Sequence, residues 1–298
     1  MDSITHTLFG LTIYGAIDKE EMEKTTKRAF LFTAVVGSLI PDSDVVSQLW
    51  DTEGLYQMWH RGITHSLFMV PIWALLLWLV CRFLFKVKDP RIFYIGLLSV
   101  FIHCTSDLFN AWGTGYLEPF SDLRVTFGTI PIVDLTFWAI MLLSFLFVRL
   151  KKKLPFTKHK QIRSHFVYRA AWLLMILHII VQSTQGYTIY QQTASSYEEH
   201  TLSATFVPWN FTVIGKKGET VELSHANLWN GLTLQETLPS AEGTDLEELF
   251  AERPEAKTLY QWSPFVVIVD DDQLLGIYDP RFYRNGQSFL FEYIEKGF

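Results

Sequence analysis

His103, Asp107 and Asn110, in the stretch Phe101-Ile-His-Cys-Thr-Ser-Asp-Leu-Phe-Asn110, bring polar ligand atoms to the end of an otherwise apolar segment. Residues four apart on a helix share a face, and Asn110 continues that row by another turn. An imidazole and a carboxylate so placed suit a divalent transition metal: zinc first, with manganese or iron as alternatives. A hydrogen-bonded pair closing a helix end would use the same residues.

Three other clusters carry the same chemistry. Asp2 and His6 are also four apart. In Pro41-Asp42-Ser43-Asp44 a proline ends the preceding segment and two carboxylates follow at once. The third is His60-Arg61-Gly62-Ile63-Thr64-His65-Ser66. Plainer roles exist for each: one aspartate could cap the next helix, Arg61 could bind lipid headgroups, and His60 and His65 could be interfacial. His and Asp together at membrane helix ends are nonetheless the inventory of a metal site. Asp134, near the start of an apolar segment, reads as a partner of that cluster, since an unpaired charge there is costly. His178, deep in the last apolar segment, reads as a hydrogen bond to a neighbouring helix. His159, His165, His200 and His225 read as surface residues.

The elements that must position these groups are membrane helices. Of 298 residues 49% are apolar, and the long apolar runs lie before about Ser183, while the remainder reads as a soluble sequence. Residues 66–85 can cross a ~30 Å hydrocarbon core. Residues 92–110, 130–150 and 166–183 are further candidates, and 4–17 and 29–40 are shorter ones, giving about six helices. Basic residues at 24–28, 82–91 and 149–163 fall in alternate loops, which the positive-inside rule places in the cytoplasm. Every candidate ligand and the tail then lie outside. The tail carries strand-like runs at 201–214, 220–223, 265–269, 274–278 and 289–294 separated by Gly-Lys-Lys-Gly, Asp-Asp-Asp and Arg-Asn-Gly turns. Two cysteines, Cys81 and Cys104, exclude a disulfide framework, and the net charge of −6 gives no footprint for nucleic acid. The opening residues lack the basic region of a cleaved signal peptide.

Asp2…Thr5-His6…Gly10, Pro41-Asp42-x-Asp44, His60-Arg61-Gly62-x-Thr64-His65-Ser66 and His103-x-x-x-Asp107-x-x-Asn110-x-x-Gly113-Thr114 resemble the predicted membrane-bound metal-dependent hydrolases, a bacterial inner-membrane family. That family is distantly similar to the zinc-dependent phospholipase C and P1 nuclease superfamily. The resemblance covers roughly residues 1–134 and implies metal ligands at His6, Asp42, His65, His103 and Asp107, with Asp42 and Asp44 interchangeable as ligand or base. Asp44, Arg61 and His60 are then the catalytic set. The second helical His-x-x-x-Glu of the phospholipases has no counterpart after Asn110, so one or two ions are expected rather than three.

The resulting expectation is an all-α polytopic membrane domain over 1–184, followed by a small β-rich extracytoplasmic domain over 185–298. Its function would be metal-dependent hydrolysis of a phosphoester or lipid-linked substrate at the external face of the cytoplasmic membrane. Its partners would be membrane lipids, one of them a phosphate-containing substrate, and no nucleic acid. The alternative is a metal-binding scaffold or transporter without hydrolytic activity. A transporter would hold its ligands nearer the bilayer midplane.

Overall fold

A computed structural model of the chain describes residues 1–151 and 163–296. They form two compact units. Unit 1 comprises Met1–Ser43, Arg61–Thr126 and Pro131–Gln182, and unit 2 comprises Asp44–His60, Phe127–Ile130 and Ser183–Phe298. The basic run from Lys152 to Lys160, with His159, lies outside the described residues.

In chain order the helices are α1 (Ser3–Ala16), α2 (Lys24–Gly37), α3 (Tyr56–Trp59), α4 (Met69–Leu84), α5 (Arg91–Asp107), α6 (Leu135–Lys151) and α7 (Ser164–Thr193). The start of α1 is fixed by Asp2, whose carboxylate accepts from the Ile4 and Thr5 amides, each at 3.0 Å. Small residues then let the helices of unit 1 approach closely. A Cβ on Gly10 would lie 2.7 Å from the Ala34 carbonyl oxygen, so α1 rests on the backbone of α2. A Cβ on Gly96 would lie 3.3 Å from Ala74 Cα, which brings α5 against α4. Val70, Leu77, Val100 and Cys104 fill the α4–α5 seam, and Ala29, Phe30, Cys81 and Ile92 tie in α2.

The expectation of about six membrane-crossing helices is not met. α1 and α2 have 14 residues each, α4 has 16, and α5 and α6 have 17. At about 1.5 Å per residue even the longest of these falls short of a ~30 Å hydrocarbon core. Among the described residues one helix is long and apolar enough to cross, Ser164–Ser196. The number rises to three if the bent pairs Lys24–Gly37 with Ile40–Leu49 (55°) and Tyr56–His65 with Met69–Leu84 (71°) each count as one span. The reason is local: an apolar run is not a helix. Residues 66–68 form a turn before α4, and the chain after α2 tightens into a 3-10 helix at Ile40–Leu49. With fewer spans, the alternation of basic loops can no longer set the sidedness of every segment.

Unit 2 holds the β structure. Strands β1 (Glu199–Ala204), β2 (Phe211–Lys217), β3 (Thr220–Asn227) and β4 (Gly231–Pro239) form an antiparallel meander in that order. After α8 (Glu247–Glu252) and α9 (Pro254–Trp262), β5 (Val267–Asp270), β6 (Leu274–Tyr278) and β9 (Phe291–Glu295) make a second sheet, and β7 (Tyr283–Arg284) pairs with β8 (Gln287–Ser288). Ile214, Val221, Leu238, Val267 and Tyr278 join the two larger sheets in one core. The C-terminal region is β-rich, as its alternating pattern indicates.

Candidate metal centre

The site grows from the last turn of α5. His103 and Asp107 lie one helical turn apart and are both fully buried. His103 Nδ1 is 2.7 Å from the Ser38 carbonyl oxygen, just past the end of α2. A carbonyl only accepts, so Nδ1 carries the ring proton and Nε2 presents a lone pair to the opposite side. His65 ends the 3-10 turn Ile63–His65, and its Nδ1 is 3.0 Å from Thr64 Oγ1. With that hydroxyl accepting, the two Nε2 atoms face one another at 3.1 Å as lone pairs.

Two carboxylates close the group. Asp42 Oδ1 is 3.3 Å from His65 Nε2 and 3.5 Å from His103 Nε2. Asp107 Oδ2 is 3.6 Å and 3.8 Å from the same two nitrogens. One ligand atom from each of the four residues lies within 4.8 Å of every other. Donors about 2.1 Å from a tetrahedral ion are roughly 3.4 Å apart, so this spacing is that of a coordination shell. Converging lone pairs and carboxylates repel unless a cation sits among them. His6 on α1 extends the group: its ring stacks on His103 with centroids 3.7 Å apart, and its Nε2 lies 3.4 Å from Asp107 Oδ1. Among the described residues neither His6 nitrogen has a hydrogen-bond partner although the ring is fully buried, a combination that suits a metal ligand. The donor set therefore fits a divalent metal ion.

Arg61 is buried at the rear of this group, with a left-handed backbone of φ 58°. Its Nη1 donates to Asn110 Oδ1 at 2.8 Å, its Nη2 to the Met1 carbonyl at 3.3 Å, and its Nε lies 3.3 Å from Asp107 Oδ2. The Met1 amino group also contacts the Asp107 carboxylate. Asp44 and His60 pair with each other in unit 2, His60 Nδ1 lying 3.2 Å from Asp44 Oδ1, and the His60 ring stacks on Tyr56. Asp134 is the N-terminal cap of α6, accepting from the Phe137 amide at 2.8 Å, and its other oxygen is 3.0 Å from His178 Nε2. Its partner is thus a histidine of α7 rather than the metal group. Sequence reasoning missed the Ser38 carbonyl, a backbone atom without a side-chain signal. It also missed the orienting role of Thr64, although a hydroxyl next to a ligand histidine is a usable one.

The family model of the YdjM inner membrane proteins matches residues 1–212, about two-thirds of the chain and every residue of the group just described. The chain belongs to the YdjM inner membrane protein family. It is therefore a bacterial membrane protein, and the exposed leucines along α4, α6 and α7, such as Leu75, Leu143 and Leu173, are suited to lipid. A Bacillus subtilis (strain 168) relative, "Uncharacterized protein YfhP", is 30% identical over 138 residues, 45% of this chain and 42% of the relative. The alignment thus spans well under half of that relative's length. No solved structure matches the chain.

Proposed function

We propose that this member of the family is a metal-dependent hydrolase acting on a phosphoester or lipid-linked substrate at the membrane surface. The observation that carries the reading is the convergence of Asp42, His65, His103 and Asp107, with the His103 Nε2 lone pair turned inward. A divalent cation there would lower the pKa of water and polarise a phosphoryl oxygen. Asp42 is the one member of the four that is not fully enclosed, so it faces the side from which substrate approaches. Arg61 acts as a positioning residue in this reading, because its guanidinium is engaged with Asp107 and Asn110 and holds the carboxylate in place. Asp44 and His60 form a carboxylate–imidazole pair of their own in unit 2, and this reading gives them no step at the metal group. The substrate class rests on the resemblance to the phospholipase C and P1 nuclease superfamily.

In the same reading the β-rich domain lies outside the cytoplasm. This rests on α7 alone: Lys151, Lys152, Lys153, Lys158, Lys160 and Arg163 precede it, whereas no Lys or Arg follows between Ala194 and Gly215. The test is phosphodiester and lipid-phosphate hydrolysis by the purified protein, before and after chelation and with zinc, manganese or iron restored. Activity that needs the metal and is absent from His103→Ala supports the reading. A protein that binds metal yet turns over none of these substrates is a metal-binding scaffold instead.

A further inference from the structure

We infer that the end of the first β-sheet carrying the β1–β2 and β3–β4 loops docks into the lipid surface from which α7 emerges. α7 is apolar from Phe166 to Val181 and polar from Gln182 onward, so its bilayer boundary falls near Gln182. After Thr193 the chain turns and β1 runs back along the same helix. His200 lies on Tyr190, with ring centroids 4.0 Å apart. Ile189 packs with Leu202, Ala204 and Phe211. A Cβ on Gly186 would lie 3.1 Å from the Phe211 ring. Each step toward the membrane along α7 thus meets a residue nearer the β1–β2 loop. Gly186 lies roughly 7.5 Å along the helix beyond Val181, the last residue of the apolar stretch, and residues 205–210 lie beyond Ala204 and Phe211 in the same direction.

The register puts the β3–β4 loop beside them, since Ala204 pairs with Phe211, Phe211 with Ala226, and Asn227 with Gly231. At this end Phe206, Val207, Trp209, Leu228 and Trp229 are between 43% and 66% exposed. In water that is an unfavourable set, yet the loops are firmly built. Asn227 Nδ2 donates to Asn210 Oδ1 at 3.0 Å, bridging them, while Asn227 Oδ1 accepts from the Trp229 and Asn230 amides. Trp209 is held at φ 67°, a conformation unfavourable for a bulky residue, with its ring edge-on to Trp229. Arg284 lies over Phe206 at 5.7 Å and brings a cation to the same edge. Two tryptophans among apolar side chains with a nearby arginine are the composition of a bilayer interface. Exposed Tyr187, next to Gly186, marks the same level on α7.

The experiment uses the full-length protein in vesicles of phosphatidylethanolamine and phosphatidylglycerol. An environment-sensitive fluorophore is attached at Val207→Cys or Trp229→Cys, and at Lys217→Cys on the opposite end of the sheet as reference. Cys81 and Cys104 are fully buried, so labelling goes to the introduced thiol. Lipid carrying a nitroxide near its headgroup should quench positions 207 and 229 several-fold more than 217, and aqueous iodide should show the reverse order. Equal iodide quenching at all three positions overturns the inference. Protection of 207 and 229 from both quenchers overturns it too, and assigns the patch to a protein surface or a second copy.

Discussion

The Ser38 carbonyl, which only accepts, puts the His103 proton on Nδ1 and leaves its Nε2 able to be a ligand, while the Thr64 hydroxyl at 3.0 Å from Nδ1 orients the His65 ring. Loss of such an orienting contact typically costs 10–100-fold in metal affinity. Thr64→Val should therefore weaken binding by about that factor in a chelator competition, with the stoichiometry recovered at saturating metal; unchanged affinity would show that the His65 ring is oriented by something else. Arg61 tests the electrostatics of the same group. Removing one partner of a buried ion pair costs about 3–5 kcal/mol, so Arg61→Met should lower stability by that order in denaturant titrations of metal-free protein. Combined with Asp107→Asn it should cost less than the sum of the two, and additivity would deny the pairing. At this scale the His-x-x-x-Asp spacing was legible because a helix turns four residues onto one face. The Asp134 to His178 pair was not, since it joins residues whose approach only packing determines.

Helices deliver these side chains, and their approach is set by small residues. Gly10 lies one turn beyond His6 on α1, directly on the α2 backbone. Gly10→Ala should push the two helices apart at a cost of about 1–3 kcal/mol and weaken metal binding without altering a ligand. A variant with the parent's metal affinity would show that α1 contributes no ligand. Asp134 gives the opposite expectation: Asp134→Ala removes a helix cap worth about 1 kcal/mol and leaves the His178 ring without its carboxylate, yet metal content should not change. Element type was readable from the apolar runs and the alternating tail, but element length was not. The run at 66–85 begins with a turn and the run at 29–40 leaves its α-helix at Gly37 and enters a 3-10 helix at Ile40, and backbone geometry of this kind leaves hydropathy unchanged.

At the level of the whole molecule, a family of inner membrane proteins, a buried group of histidines and aspartates, and a β-rich domain tethered to a long apolar helix are brought together in one chain. The β-rich tail could be read from the sequence because turn residues punctuate its strands. The number of spans could not, because hydropathy registers how apolar a run is and not how long or how straight its helix is. A thiol introduced at Lys296 should react with impermeant reagent in intact cells, and protection there would place the β-rich domain in the cytoplasm. The central claim, that these side chains form a metal centre, is tested most directly by the metal content of full-length protein purified without chelator. About one or two divalent transition-metal ions should be bound per chain, and lost from His65→Ala and from His103→Ala while both variants remain membrane-inserted. A parent protein that holds no such metal even after incubation with zinc, manganese and iron, or variants that retain it in full, would contradict the account.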